Sequence, residues 1–184
     1  MKLERESLAI DSDVRLVPRH PGDAADLFAL VDAYRPALRE WLGWVDAMRS
    51  VHDMRRYAQY AEAQFESRSG FDFAIRIAGS AAGAIGLHAL DWSNRSAQIG
   101  YWLAPSARGA GIMTRACEGL ISHAFREFVL HRLEIRCALE NRPSRAVPER
   151  LGFTREGTLA GAHVLHGAFR DIALYAMTAP AWLR

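Results

Sequence analysis

The feature that most constrains this chain is an abrupt change from a strand pattern to a helix pattern within "IGYWLAPSARGAGIMTRAC", residues 99–117. The strand-like run ends at Ala104, Pro105 follows it, and Gly109 and Gly111 precede a long segment with apolar residues at every third or fourth position. The first turn of that helix carries no Asp or Glu, although the helix dipole favours acidic residues there. The sequence therefore predicts a strand–turn–helix unit whose helix start is open to an anion such as a phosphate.

Two known phosphate-binding patterns do not match this turn. A nucleoside-triphosphate loop has Lys and then Ser or Thr after its last glycine, where this chain has Ile112 and Met113. A dinucleotide-binding motif has a third glycine at the position of Thr114. The alternative interpretation is a tight turn with an exposed Arg108 and no ligand.

Composition narrows the function classes. The length of 184 residues suits one domain, 1–184, and the net charge of +2, with scattered arginines, does not favour a nucleic-acid partner. No run approaches the ~18 apolar residues of a membrane span, and "MKLERESLAI" is too charged for a secretion signal. The two cysteines, Cys117 and Cys137, do not form a disulfide framework. We expect a cytoplasmic protein that does not enter a membrane.

The hydrophobic periodicity predicts an α/β domain with a sheet of mixed direction. Its order is one strand, a group of helices, three strands, a helix, a strand, a short helix and two strands. Pro36 divides the first helical segment, and Ser50 caps the next helix. The predicted strands are "VRLVPRH", "FDFAIRI", "SAAGAIGLHALD", "SAQIGYWLA", "HRLEIRCAL", and two near "HVLHG" and "FRDIALYAM"; a long helix runs from Gly111 to Phe128.

The strand–turn–helix stretch resembles the acyl-CoA-binding motif of the GNAT superfamily of N-acyltransferases. More narrowly, "IGYWL", "GIMT", "LREWLGWVD", "EIRCALENRPSRAVPERLGF" and "REGTL" resemble the RimL/RimJ-type N-terminal acetyltransferases, over nearly the whole chain. The resemblance implies the GNAT fold, in which helices flank a mostly antiparallel mixed sheet of seven strands. That sheet is splayed between its fourth and fifth strands, and coenzyme A lies in the gap.

The resemblance also implies how acetyl-CoA, the expected cosubstrate, is held. The pantetheine arm would pair with the backbone near Trp102 and Leu103, as an added strand does. Asn141 would contact the pantetheine, although it also suits a helix N-cap. The pyrophosphate would lie on the amides of Arg108, Gly109, Ala110, Gly111, Ile112, Met113 and Thr114.

Two catalytic residues follow from the same family pattern. The tyrosine that many relatives use to protonate the leaving thiolate is replaced by Pro148, and RimL-like members use Ser144 instead. Ser144 could alternatively only cap its helix. Where many relatives carry a glutamate base this chain has Gln98, so the predicted base is Asp91, acting directly or through water. The alternative for Asp91 is a turn residue bonded to its own backbone.

The acceptor amine is expected beside four residues: Trp41, Trp44, Gln98 and Tyr101. The two tryptophans are three apart on a predicted helix and would share a face, with ordinary core packing as the alternative. No metal is expected, since His163 and His166 have no third ligand nearby in the sequence.

The predicted activity is direct transfer of an acetyl group from acetyl-CoA to a primary amine in a ternary complex. Holding an α-amine neutral at pH 7 costs about 1.4 kcal/mol, whereas a lysine amine costs about 4.6 kcal/mol. A site without a strong base therefore favours a protein N-terminus or a small amine. The alternatives are an acetyltransferase for aminoglycosides or other antibiotics and a non-catalytic acyl-CoA-binding module. The resemblance also allows a homodimer.

Overall fold

The computed structural model describes residues 6–184. Residues 1–5, on which the prediction of no secretion signal partly rests, lie outside the described residues. Within the described range, no helix is long and apolar enough to cross a bilayer. The strands are β1 (Leu8–Ala9), β2 (Val14–Pro18), β3 (Phe71–Ile77), β4 (Ser80–Asp91), β5 (Ser96–Leu103), β6 (Arg132–Ala138), β7 (Thr154–Leu165) and β8 (Ala168–Thr178). The helices are α1 (Ala24–Ala33), α2 (Arg35–Arg39), α3 (Val51–Glu66), α4 (Ile112–Arg126), α5 (Arg142–Arg150) and α6 (Ala179–Trp182).

One sheet contains all of these strands, in the order β1-β2-β3-β4-β5-β6-β8-β7. Neighbouring strands are antiparallel except β5 and β6, which are parallel. The β5–β6 pairing runs from Ser96 to Ile99 and stops there, so the two strands separate beyond Ile99. The predicted splayed GNAT sheet is confirmed. The short strand β1 brings the described strands to eight rather than seven, so the splay lies between β5 and β6.

Two apolar cores cover the two faces of the sheet. On one face α4 packs through residues such as Leu120 and Ile121 against the strands. On the other face α1 and α3 pack through Leu27 and Met54, and Trp102 of β5 belongs to this second core. Helices therefore cover both faces of the sheet that contains the gap between β5 and β6.

Several local predictions are confirmed. The Ser50 hydroxyl accepts a hydrogen bond from the Asp53 amide at 3.2 Å and caps α3. The break predicted at Pro36 falls between α1, which ends at Ala33, and α2, which begins at Arg35. Each of these features depends on residues within one turn of each other, which is why the sequence reveals them.

Two local predictions need correction. The penultimate strand is not confined to "HVLHG" but begins at Thr154; it is an exposed edge strand with two bulges, so its apolar residues do not alternate. Trp41 and Trp44 do not share an α-helix, because α2 ends at Arg39. Trp44 lies instead in a short 3₁₀ helix, Gly43–Ala47.

Candidate active site

A cavity of about 560 Å³, which we call the turn cavity, lies where β5 ends and α4 begins. The end of β5, the turn before α4 and the inner side of α5 form its walls. Of the residues predicted to hold a coenzyme, all except Ala110 line it: Trp102, Leu103, Arg108, Gly109, Gly111, Ile112, Met113, Thr114 and Asn141. Ala110 lies on the outer side of the turn.

The turn leaves the start of α4 open. Gly109 and Gly111 have positive φ angles of 87° and 71°, in the left-handed region that favours glycine. The Arg115 amide bonds to the Gly111 carbonyl at 3.1 Å, so the amides before it have no partner within the helix. No side chain caps this end, and no acidic residue lies in the first turn. The open amides and the helix dipole together fit a phosphate or pyrophosphate.

Two arginines flank this turn. The Arg108 Nε donates to the Leu103 carbonyl at 3.2 Å, which ties the turn back to the end of β5. Arg150, at the end of α5, donates from Nε and a terminal nitrogen to the Thr114 hydroxyl at 3.2 and 3.0 Å. Sequence reasoning missed Arg150, because it joins the turn only when α5 packs beside α4. Both cations lie on the wall of the turn cavity and add positive charge beside the open amides.

The edge of β5 provides main-chain groups to the same cavity. Beyond Ile99 the strand has no register partner on β6, while on its other side Trp102 pairs with Ala84 and Leu103 with Gly83 of β4. The side chains of Trp102 and Leu103 are buried, so the groups they offer to the gap are those of the backbone. An extended ligand arm could pair with this edge as an added strand does.

A second cavity of about 600 Å³, the strand cavity, lies between the β4–β5 side and the β6–β8 side of the splay, beneath the loop that carries the tryptophans. The two cavities share six lining residues: Trp41, Leu42, Tyr101, Trp102, Asn141 and Ser144. They are therefore two ends of one cleft that crosses the sheet at the splay.

Ser144 lies at the junction of the two cavities. The Asn141 side-chain oxygen Oδ1 accepts a hydrogen bond from the Ser144 amide at 3.1 Å, so Asn141 is the cap of α5 and the Ser144 hydroxyl is not. That hydroxyl lies 3.4 Å from the Tyr101 hydroxyl, which itself donates to the Ser144 carbonyl at 2.8 Å. Burial raises the pKa of Tyr101 well above its usual value, so the phenol stays protonated. The Tyr101 proton is engaged by the Ser144 carbonyl, so the Ser144 hydroxyl, whose contact with Tyr101 is long, is the one that can turn and donate to an atom placed in the cleft.

The residues predicted to contact the acceptor all reach the strand cavity. Trp41 lines both cavities, and Trp44 packs at a tilt against Trp102, with 5.9 Å between ring centroids. Gln98 lies on β5, opposite His88 of β4. Their contact with an acceptor stays a prediction, but the structure brings them together despite the incorrect helix prediction.

Asp91 is not among the residues that line either cavity. It pairs with Ser96, where β5 and β6 are still joined and three residues before their last pair at Ile99. Its carboxylate accepts hydrogen bonds from the Ser93 hydroxyl at 2.6 Å and from the Asn94 amide at 2.9 Å. These bonds lower the pKa of Asp91 to about 2. The structure thus supports the turn interpretation of Asp91 and not the predicted base.

The strand cavity also contains groups that sequence reasoning did not assign. Asp72 of β3 is buried, and its two oxygens accept hydrogen bonds from Arg19 at 3.3 Å and from the Tyr57 hydroxyl at 2.8 Å. His88 lies on the same wall. These residues come from the segment just after β2 and from β3, β4 and α3, so no sequence spacing could have grouped them. Among the described residues, no group of three or more His, Cys, Asp or Glu could hold a metal ion.

Comparison with known proteins agrees with this geometry. Residues 13–154 match the family model described as "Acetyltransferase (GNAT) domain". The chain is 37% identical over 170 residues to the putative ribosomal N-acetyltransferase YdaF of Bacillus subtilis (strain 168), covering 88% of this chain and 89% of that protein.

Two solved structures extend the comparison. RimL, the ribosomal L7/L12 alpha-N-protein acetyltransferase in complex with coenzyme A, superposes with a TM-score of 0.91 at 28% identity, over 94% of this chain and 98% of that one. The microcin C7 self-immunity acetyltransferase MccE, in complex with acetyl-CoA and AMP, gives a TM-score of 0.89 at 25% identity. The match covers 92% of this chain and 94% of that one. From its sequence, its splayed sheet and these relatives, the chain belongs to the GNAT family of acetyltransferases.

Proposed function

We propose that this enzyme, acting as a single domain, transfers an acetyl group from acetyl-CoA to the α-amine of a protein N-terminus. The observation that carries the proposal is the junction of the two cavities at Ser144 and Tyr101, across the splay. A ligand held by its phosphates at the α4 turn reaches this junction from one side, and an amine reaches it from the other. Bringing the two reactants together in this way lowers the barrier without a covalent enzyme intermediate.

Each part of the turn cavity has a role in this proposal. The amides from Gly109 to Thr114 bind the pyrophosphate and Arg150 balances its charge, whereas the Arg108 amide is engaged by the Pro105 carbonyl at 3.2 Å. The open edge of β5 at Trp102 and Leu103 holds the pantetheine arm, with Asn141 opposite. A backbone amide of β5 stabilises the developing oxyanion of the thioester, and the Ser144 hydroxyl protonates the departing thiolate.

The charges of the strand cavity support an α-amine rather than a polyamine. A polyamine acceptor carries several positive charges and calls for several carboxylates. Among the described residues that line the two cavities, Asp72 is the one carboxylate, and Arg19 and Tyr57 already engage it. An α-amine needs less help than a lysine amine to become neutral, by about 3 kcal/mol at pH 7.

The experiment is a thiol-release assay with acetyl-CoA and a panel of acceptors. The panel holds peptides with free N-termini, the same peptides with blocked N-termini and an internal lysine, spermidine, and aminoglycosides. We expect release with the free N-termini, one added acetyl group on the N-terminal residue by mass spectrometry, and intersecting initial-velocity lines. Binding of acetyl-CoA without release by any acceptor would instead favour a non-catalytic module, and release with aminoglycosides alone would favour an antibiotic-modifying enzyme.

A further inference from the structure

The amine must lose a proton before it can attack, and the structure leaves few groups to accept it. Asp91 lies outside the cleft, and Gln98 is an amide that does not accept a proton at neutral pH. Asp72, the one carboxylate among the described lining residues, is buried and already bonded to Arg19 and Tyr57. The acceptor of the proton is therefore to be sought among other side chains of the strand cavity.

The His88 imidazole lies over the point where the splay opens. If Gly86 carried a Cβ atom, that atom would lie 3.1 Å from the Nε2 of His88. A Cβ atom on Gly100 would lie 3.1 Å from the Cδ2 of His88. The ring therefore occupies space that two neighbouring glycines leave free. Gly100 is the first residue of β5 beyond the last β5–β6 pair, at Ile99. This places the imidazole at the entrance to the gap, on the acceptor side of the cleft.

The other ionisable groups of the cavity leave His88 as the suitable acceptor. Arg136 pairs with Glu134 at 2.9 Å, and His163 lies exposed on the opposite wall. Burial raises the pKa of the Cys137 thiol to about 11, so the thiol holds its proton at neutral pH. The charged and titratable groups facing this cavity are Arg19 after β2, Tyr57 from α3, Asp72 from β3, Tyr101 from β5, Arg136 and Cys137 from β6, and His163 from β7.

We propose that His88 is the general base of this enzyme and takes the proton of the acceptor amine, directly or through one water. This inference rests on the acetyl transfer proposed above. The ammonium form gives one proton to the imidazole, the neutral nitrogen forms its bond to the acetyl carbon, and the carbon–sulfur bond breaks. The second proton leaves the nitrogen for the thiolate by way of the Ser144 hydroxyl, and His88 releases its proton to water. Histidine suits this role because a neutral imidazole has one ring nitrogen free to accept a proton.

The test is the pH dependence of kcat/KM for a free-N-terminus peptide in wild type and His88→Gln. We expect the variant to be about 100-fold slower at pH 7, with the gap closing towards pH 9, where the amine is neutral without a base. Coenzyme A should bind both proteins equally, since His88 does not line the turn cavity. A loss by the same factor at every pH, or no loss, would overturn the proposal.

A second variant uses the strand register. Gln98 lies directly opposite His88, so Gln98→Glu in the His88→Gln background supplies a carboxylate to the same space. We expect it to recover about tenfold in rate at pH 7; a double variant as slow as the single one at every pH counts against a base at this place. His52→Gln, on the exposed first turn of α3, is the matched control and should keep the wild-type profile. If wild type itself releases no thiol, the proposed function is wrong. If His88→Gln is active with the wild-type pH profile of kcat/KM, only the role of His88 as the base is wrong.

Discussion

The turn cavity and the strand cavity are built from different kinds of group. The turn cavity offers main-chain amides at the start of α4 and the open edge of β5, with arginines around them. The strand cavity offers side chains from β3, β4, α3 and the tryptophan loop, which meet only in the folded chain. A site made of main-chain groups depends on where a helix or strand starts and ends. Different side chains can therefore surround it without changing it. A site made of side chains changes when those residues change. Relatives with the same fold can therefore differ in the acceptor that they bind.

Among the changes that test the difference between the two cavities, we expect the largest effect at Thr114, in the first turn of α4, on the binding of coenzyme A. Thr114→Glu places a carboxylate beside the phosphates and should weaken coenzyme A binding about 100-fold, or about 3 kcal/mol. The coenzyme-free protein should be as stable as wild type or slightly more stable, because an acidic residue suits a helix start. Calorimetric titration and thermal unfolding measure the two effects. Thr114→Gln is the neutral control, and equal binding by both variants would contradict a main-chain phosphate site.

Ser144→Ala tests the point where the two cavities meet. We expect kcat to fall about 30-fold because the departing thiolate loses its proton donor, while the dissociation constant for coenzyme A stays unchanged. Steady-state kinetics and calorimetry separate the two. Ser144→Thr, which keeps a hydroxyl, should retain most of the activity. An alanine variant with the kcat of wild type would show that Ser144 is not the proton donor.

Trp44→Ala tests whether the strand cavity is independent of the turn cavity. Trp44 lines the strand cavity and contacts Trp102, so its loss should raise KM for an N-terminal peptide about tenfold. Coenzyme A should bind as before, because Trp44 does not line the turn cavity. Trp44→Phe should be closer to wild type. If coenzyme A binding weakened as much as peptide binding, the division into two sites would be wrong.

The smallest effect on activity is expected at Asp91, outside both cavities. Asp91→Ala should change kcat by less than a factor of about two, a change too small for the loss of a catalytic base. It should lower stability at pH 7, because the folded state holds the pKa of this carboxylate at about 2, below its unfolded value. That contribution is present above the unfolded pKa and is lost as pH falls, so the difference in melting temperature should begin to shrink below about pH 4. A tenfold loss of kcat would instead support a catalytic role for Asp91.

The sequence predicted the elements whose signals are local. The turn from Pro105 to Gly111 and the Ser50 cap each depend on neighbouring residues, and both lie where predicted. The exposed strand β7 was mostly missed, because bulges and exposure remove the alternation that marks a strand. Trp41 and Trp44 line the strand cavity, but a loop carries them there and not the predicted helix, and their contact with an acceptor stays a prediction.

The site divides along the same line. Arg150, Asp72 and His88 lie far apart in the chain, and nothing in their own neighbourhoods marks them as members of one cleft. Asp91 shows the opposite case: it stands at a family position, yet its carboxylate is bonded within its own turn and it lines neither cavity. Which carboxylate can act as a base depends on its partners and burial, and these exist only after folding.

The sequence by itself indicated the open helix start, because glycine, proline and the lack of acidic residues at neighbouring positions mark it, and its resemblance to the GNAT family implied the splayed sheet. The folded structure decided how the two cavities join, that Trp41 and Trp44 reach the strand cavity, and that His88 lines this cavity whereas Asp91 does not. The physical reason is that main-chain geometry is governed mostly by adjacent residues, whereas a reactive pocket is made of side chains brought together by packing across the whole sheet.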